Sequence, residues 1–575
     1  MATQQAAQKL SSTARTNLNF NYHGLSTYAA RSPPANETNI ERHKKTLLIS
    51  FAQHLNVNEI EKIVSHYKRS IVTDESVLAD LFNGDIRRHN IVKDDNYYRA
   101  LKFTTDAFRP PQPCRPVHLM DIYDRYPFND NVSAETPFVS DPYFKSLMPD
   151  KTLRMSFRNM KHIIFSFVRR WIHEIKENTI PPRSSHTSNT QRHIYPMLLH
   201  SKTALIETND PNKMRTIWGA SKIMILSQIM IYWSYFAYIK KHRSSTPLLW
   251  GYETLTGGWL RLNAELFHNH MQHSFVMIDW KRFDKYAEFS ALRDLFRERR
   301  SFFTFTEGYE PTYNYATTKH PNPSFQERRL NNLWHWILEY YFHADLILPD
   351  GRKYQRTHAG IPSGVYTTQL DDSQYNTLML STIFFSLGVN FDNLKILGDD
   401  SLARLLTCIP PNMHEQFLLS LQEKADYYFG SIISIDKSRL QNGIQHCEVL
   451  AYSNNHGLPE RDPLTALATF YHTKARSPSP SYTMSAAIGY AYALPQAPQR
   501  FYNALKDVHD YYASKGYTPD AKHLLKLGMF NEFESLPSTL TFPTRYETRR
   551  LLHVLDYTSK QMEKFWPTDY FIWDV

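Results

Sequence analysis

Apolar residues recur along this chain at helical spacing in long runs and at strand spacing in short ones. Residues 1–40 are rich in Ala, Ser, Thr, Asn and Gln and read as an extended arm. Ile60, Ile63, Val64 and Tyr67 then follow an Asn58/Glu61 cap signal at helical spacing. Proline makes Phe108 to Pro142 irregular. A helix is predicted from about Ser156 to Lys176, before Pro181-Pro182, with a polar loop over Arg183 to Arg192. A basic, partly extended segment, Lys202 to Ser221, leads into the most apolar stretch, Ile223 to Ile239. That stretch carries Ser227, Gln228 and Ser234 and is short for a membrane span, which predicts a buried core helix.

Phe275-Val276-Met277-Ile278-Asp279 has strand character and ends on an acid. Residues 285–345 read as mostly helical around a loop from Pro311 to Pro323. Gly360 to Asn376 is a Gly/Pro turn running into a polar helix. Ile396-Leu397 and Leu402-Ala403 flank Gly398-Asp399-Asp400-Ser401, a hairpin signal, because glycine supplies the positive φ a tight turn needs. A helix from about Asn412 to Tyr428 follows, then strands at Ile432 to Ile435 and Val449 to Tyr452. Beyond 460 the pattern is helical with proline interruptions, and no internal repeat is present.

At 575 residues the chain can bury more than one core. The net charge of +10 suits a polyanionic partner but is spread along the chain, so it supports nucleic-acid binding only weakly. Cys114, Cys408 and Cys447 are far apart, which excludes a disulfide framework and a Cys-based zinc site and fits a reducing, cytosolic environment. The N-terminus lacks the apolar core of a signal peptide. His268, His270 and His273 cluster ahead of the 275–279 strand, but their spacing fits neither a helix face nor a zinc pattern, and no metal site is assigned to them.

The acids carry the chemistry. Two adjacent carboxylates at a hairpin tip repel each other and are most stable with a cation present, although alone they also suit a solvated turn. Asp279 brings a carboxylate from a second backbone element, and Asp284 follows it. Two-metal phosphoryl transfer needs bridging carboxylates from separate elements around ions about 4 Å apart. Asp279 and Asp399 are the expected bridging ligands, with Asp400 as a helper. Ser363-Gly364, Thr368 and Asn376 form a bent loop and polar helix face suited to sugar hydroxyls.

These residues resemble a known family. Asp279-Trp-Lys-Arg-Phe-Asp284 resembles motif A of viral RNA-dependent RNA polymerases, Ser363-Gly364 with Thr368 and Asn376 resembles motif B, and Gly398-Asp399-Asp400 resembles motif C. The finer resemblance is to polymerases of double-stranded RNA viruses, the partitivirus group with the picobirnaviruses as neighbours. Lys213-Met-Arg215-Thr-Ile-Trp218-Gly219 is similar to their motif F. Lys437, in Ile435-Asp436-Lys437-Ser438, stands in the place of motif D. Val449-Leu450-Ala451-Tyr452 with Gly457, Pro459 and Arg461 looks like the primer-grip motif E, although Ala451 stands where glycine is expected. The loop 131–138 resembles the template-entry motif G.

The resemblance implies an α+β right-hand polymerase: an RRM-like antiparallel palm sheet with largely helical fingers and thumb. It divides the chain into an N-terminal arm (1–59), fingers with fingertips (60–270), palm (271–300), a fingers insertion (301–358), palm (359–460), and thumb with C-terminal segment (461–575). It also implies two Mg²⁺ ions on Asp279, Asp399 and Asp400, with Mn²⁺ able to substitute. Lys213, Arg215 and Lys202 would clamp the triphosphate, Asp284 and Asn376 would sense the ribose 2′-OH, and Lys437 would protonate the leaving pyrophosphate. The implied partners are RNA template and product, ribonucleoside triphosphates and the capsid protein, with no membrane. The implied setting is the virion interior and host cytoplasm, with initiation independent of a primer. A reverse transcriptase is disfavoured by Asp284 and Asn376, and a non-catalytic RNA-binding protein by the intact acids and cations.

Overall fold

The computed structural model describes residues 18–28, 34–129, 131–177, 193–242, 244–267, 273–312, 314, 322–520 and 541–553. His268, His270 and the 183–192 loop lie outside them. A first strand, β1 (Phe20–Leu25), precedes α1 (Glu37–His54), which is capped by the Asn36 side chain. The segment expected as an arm therefore already contains the start of an 18-residue helix. The sequence offers two overlapping Asn-x-x-Glu frames, and α2 (Val57–Ser65) uses the earlier one, with Asn56 and Glu59 as a full capping box. Thr73 caps α3 (Asp74–Phe82), and α4 (Asp95–Phe108) follows. Ser156 caps α5 (Phe157–Lys176), as the pattern predicts. The basic segment forms β2 (Met197–Thr203) and β3 (Met214–Gly219). The apolar stretch is α6 (Lys222–Lys241), buried on almost every side. Among the described residues no helix is long and apolar enough to cross a membrane.

Then come β4 (Ser274–Met277), α7 (Phe289–Arg299), α8 (Pro323–His343), β5 (Leu346–Ile347) and β6 (Arg352–Arg356). The polar helix α9 (Thr368–Ser386) leads into β7 (Phe391–Leu397) and β8 (Asp400–Leu405). The chain continues through α10 (His414–Phe429), β9 (Arg439–Asn442), α11 (Pro463–Tyr471), α12 (Pro480–Ala493) and α13 (Gln499–Ala513). The expected strand at Val449 to Tyr452 is instead the turn of a hairpin: Glu448–Val449 pairs with Tyr452–Asn455, and Leu450 and Ala451 link them at φ +57° and +61°. Two consecutive left-handed residues make that turn, which is why the family pattern calls for glycine where Ala451 stands.

Two sheets organise the body. The central one is antiparallel, in the order β7-β8-β4-β9, and a five-stranded sheet runs β1-β6-β5-β2-β3. Helix α9 lies between α4, α7 and α10, its polar residues buried with its apolar ones. A second core forms where α1 and α2 pack on the C-terminal helices: Leu47, Phe51 and Ile63 meet Leu467, Phe470, Phe501 and Leu505. Within it His43 Nε2 donates to the Phe470 carbonyl at 2.9 Å and Nδ1 meets Thr483 Oγ1 at 2.8 Å. His472 Nε2 donates to the Ile63 carbonyl at 3.2 Å.

Burial, helped by the cations Lys44, Arg42 and Arg69 and opposed by the carbonyl hydrogen bonds, pushes both imidazoles down to about 4. Below the ordinary pKa of 6.5 the unfolded chain binds protons that the folded core excludes, so stability falls as pH falls. Thermal melts should drop between pH 7.5 and 5, by about 1–2 kcal/mol per histidine at pH 5. Part of that slope should disappear in His43→Met, and a pH-independent wild-type melt over this range would refute the assignment.

Candidate active site

The β7–β8 hairpin sets the centre. Leu397 pairs with Asp400 across a two-residue link, and Gly398 takes φ +68°, the positive φ needed at the first position of such a turn. Strand β8 also pairs with β4, Ala403 opposite Val276. Continuing that register brings Asp279 level with Asp400. Asp279 lies just past β4, where its N–H donates to Ser438 Oγ at 3.0 Å and its carbonyl accepts from Ser434 N–H at 2.8 Å. Asp279 and Asp399 are exposed, Asp284 and Asp400 half-buried.

The acids feel one another. Although the residue as a whole is exposed, desolvation of its carboxyl, with Asp279 adding like charge, raises Asp399, while a backbone N–H and Arg215 pull the other way. Burial holds Asp400 at about 6, with the Leu450 N–H opposing and Asp399, Glu448 and Asp279 adding to it. Asp284 is raised by burial and by Asp80 and Asp399, against Lys285 and Arg215. Among the described residues, no three His, Cys, Asp or Glu side chains already converge as a metal-holding group. The donor set is nevertheless all carboxylate, the oxygen chemistry that suits Mg²⁺, and its mutual repulsion favours a cation. Asp400 also supports a neighbouring element: its Oδ2 accepts from the Leu450 N–H at 2.7 Å and so ties the strained 448–455 hairpin to the turn.

Lys202 and Arg215 are direct cross-strand partners on β2 and β3, and Lys213 immediately precedes β3. All three are exposed, and none forms an ion pair among the described residues. Arg215 acts electrostatically on both Asp284 and Asp399, so β3 faces the acids. Its position is fixed by Asp80 of α3, whose Oδ2 accepts from Thr216 N–H and Oγ1 (both 2.8 Å) while Oδ1 pairs with Lys285 at 2.6 Å.

The motif B loop docks on the same strand. Trp218 N–H donates to Ser363 Oγ at 3.1 Å, and a Cβ on Gly364 would lie 1.8 Å from the Trp218 carbonyl oxygen. Gly360 N–H bonds the Ala287 carbonyl and Ile361 N–H bonds the Asp284 carbonyl. Thr368 Oγ1 bonds the Pro362 and Val365 carbonyls at 2.8 and 2.9 Å. Asn376 is fully buried: its Oδ1 accepts from Trp280 Nε1, and its Nδ2 donates to the Gly398 and Asp399 carbonyls. In this arrangement Ser363, Thr368 and Asn376 bond protein groups.

Lys437 is exposed, on the turn that Ser434 and Ser438 fasten to Asp279, and it forms no ion pair among the described residues. In the 131–138 loop, Glu135 reaches His200 Nε2 on β2 at 3.1 Å. Sequence reasoning missed Asp80, which carries no local signal, and Asp372. Asp372 has an enclosed Oδ1 without a hydrogen-bond partner, and burial with Asp284, Asp371 and Asp399 holds its carboxyl well above the usual range. Its signal was the Asp371-Asp372 step between Thr368 and Asn376.

Residues 156–418 match the family model described as viral RNA-dependent RNA polymerase. The chain is 44% identical over 582 aligned positions to the RNA-directed RNA polymerase of White clover cryptic virus 1, a partitivirus, covering 93% of each chain. It is 27% identical over 394 positions to the RNA-directed RNA polymerase of Atkinsonella hypoxylon virus, covering 62% of this chain and 57% of that one. With acids, cations and glycines placed as described, and a relative matched over nearly its whole length, the chain belongs to the viral RNA-dependent RNA polymerases.

Proposed function

We propose that the chain copies a double-stranded viral RNA genome by two-metal nucleotidyl transfer. The observation that carries this is that Asp399 feels the charge of Asp279, Asp284 feels that of Asp399, and Arg215 acts on both Asp399 and Asp284, from three backbone segments. Asp279 and Asp399 would hold two Mg²⁺ ions, with Asp400 steadying the turn and contributing charge. Bound metal would supply charge neutralisation and a lower pKa for the attacking hydroxyl. The primer 3′-oxygen attacks the α-phosphorus in line, the α–β bridging P–O bond breaks, and pyrophosphate leaves. Lys202, Lys213 and Arg215 neutralise the triphosphate, Arg215 with a bidentate fork and the lysines as point charges. Asp284 accepts from the ribose 2′-OH, and Lys437 donates a proton to the departing pyrophosphate.

In this reading β7, β8, β4 and β9 are the palm sheet, the five-stranded sheet belongs to the fingers, and α11, α12 and α13 belong to the thumb. The proposal also includes primer-independent initiation, a capsid-protein partner, and work in the virion interior and host cytoplasm, as the motif resemblance implies.

Purified protein with single-stranded RNA template, ribonucleotides and Mg²⁺ should incorporate label without primer. Asp399→Ala should lower the rate at least about a hundredfold, and survival of the wild-type rate would remove the site. Asp284→Ala should narrow the kcat/KM preference for ribonucleotides over deoxyribonucleotides by about tenfold; an unchanged ratio would remove Asp284 as sugar reader. Gly364→Ala should lower kcat at least about tenfold by driving the loop off Trp218, read in the same assay against a thermal melt.

A further inference from the structure

Asn376 stands where the resemblance expects a sugar reader, yet it is fully buried and both N–H groups and the oxygen of its amide already bond protein groups. Its Oδ1 accepts from Trp280 Nε1 at 3.1 Å, and its Nδ2 donates to the Gly398 and Asp399 carbonyls at 3.0 and 3.1 Å. An indole N–H can only donate and a carbonyl can only accept, so the three partners fix which end of the amide is which. One turn earlier on α9, Ser373 Oγ accepts from Gly398 N–H at 2.9 Å and donates to the Gln369 carbonyl at 2.6 Å. Both side chains are fully buried. Both amide N–H groups of Asn376 are committed and the side chain is fully buried, so a sugar hydroxyl could reach the remaining lone pair of Oδ1 only by opening the packing around it.

The partners are as informative as the residues. Gly398 N–H, Gly398 C=O and Asp399 C=O are the backbone groups of the turn that carries Asp399. Trp280 directly follows Asp279. Gly398 sits at φ +68° and, lacking a side chain, resists deformation least of any residue. A flexible turn carrying a charge that its neighbours repel needs outside restraint. One helical turn of α9, positions 373 and 376, supplies that restraint to both acidic segments at once.

We propose that Asn376 and Ser373 are positioning residues, a latch that bolts the Gly398-Asp399 turn and, through Trp280, the Asp279 segment to α9, setting the separation of the two carboxylates. The latch rests on the reading that Asp279 and Asp399 hold the metals. It predicts that Asn376 acts on rate and metal affinity and leaves sugar choice to other groups.

The test compares Trp280→Phe, Ser373→Ala and Asn376→Ala with wild type. Ser373→Ala removes the Gly398 and Gln369 bonds at nearly constant shape, and Trp280→Phe removes the indole N–H with part of a buried ring. Each variant is therefore read against a thermal melt, and Ser373→Ala decides the matter if the others melt early. Mn²⁺ titration of the metal-free protein by calorimetry should show affinity weakened about tenfold, and kcat should fall about tenfold. Nucleotide KM and the ribonucleotide-to-deoxyribonucleotide preference should stay within about twofold. Mn²⁺ affinity and kcat within about twofold of wild type in Trp280→Phe and Ser373→Ala would overturn the latch. So would a sugar preference that collapses in Asn376→Ala while kcat holds. Asp399→Ala tests the underlying reading separately: wild-type Mn²⁺ binding there would refute the metal pair itself, whatever the latch variants do.

Discussion

Taking a polar side chain out of water is costly unless a partner waits for it, and α9 buries seven: Asp371, Ser373, Gln374, Asn376, Thr377, Ser381 and Thr382. Much of the site's geometry follows from where those partners are. Asp371 pairs with Arg299 at the end of α7 at 2.5 Å, and Arg299 also donates to Gln374. Thr367 links Asp371 to Gln228 of α6, which in turn accepts from the Tyr366 N–H. Breaking a pair this deeply buried costs about 3–5 kcal/mol. The start of α9 is thereby fixed against α6 and α7, and its next turn holds the acidic hairpin. Thr377, Ser381 and Thr382 return their hydroxyls to carbonyls of the helix itself.

Around that post the strands approach closely. Gly364 lets the loop before α9 lie against the Trp218 carbonyl, so β3, with Arg215, is held at a set distance from the acids. Asp80 completes the tie by binding Thr216 on one side and Lys285, next to Asp284, on the other. The exposed cations of β2 and β3 and the acids around Asp399 are thus carried by one hydrogen-bonded frame. Positioning of this kind, with charge neutralisation, is what phosphoryl transfer asks of a protein.

Asp400 shows how one residue serves two elements. As the first residue of β8 it adds charge beside Asp399, and its carboxylate also caps the left-handed tip at Leu450. Leu450 and Ala451 hold a conformation that costs L-residues roughly 1–3 kcal/mol each, and the bond from Asp400 helps keep them there.

The amino-acid sequence by itself determined the elements and the chemical inventory. Helices 157–176 and 222–241, the Gly398-Asp399 hairpin and the acids at 279, 284, 399 and 400 were legible because caps, periodicity and turn glycines are local signals. Order and spacing of the motifs carried the family, which the relatives then established. Tertiary structure alone decided which polar groups are occupied. Asn376 looks like a free sugar reader in the sequence, yet its bonds run to Trp280 and Gly398, residues brought near only by folding, while Thr368 closes the loop before α9 by bonding Pro362 and Val365. Asp80 carries no motif and gains its role from Lys285, about two hundred residues away, while the Asp371-Asp372 step gains its meaning only from Asp284 and Asp399 nearby in the fold. The N-terminal helix α1 was read as part of an arm because its apolar face makes sense only against α11 and α13. Local pattern records what a residue can bond, and long-range packing chooses the partner.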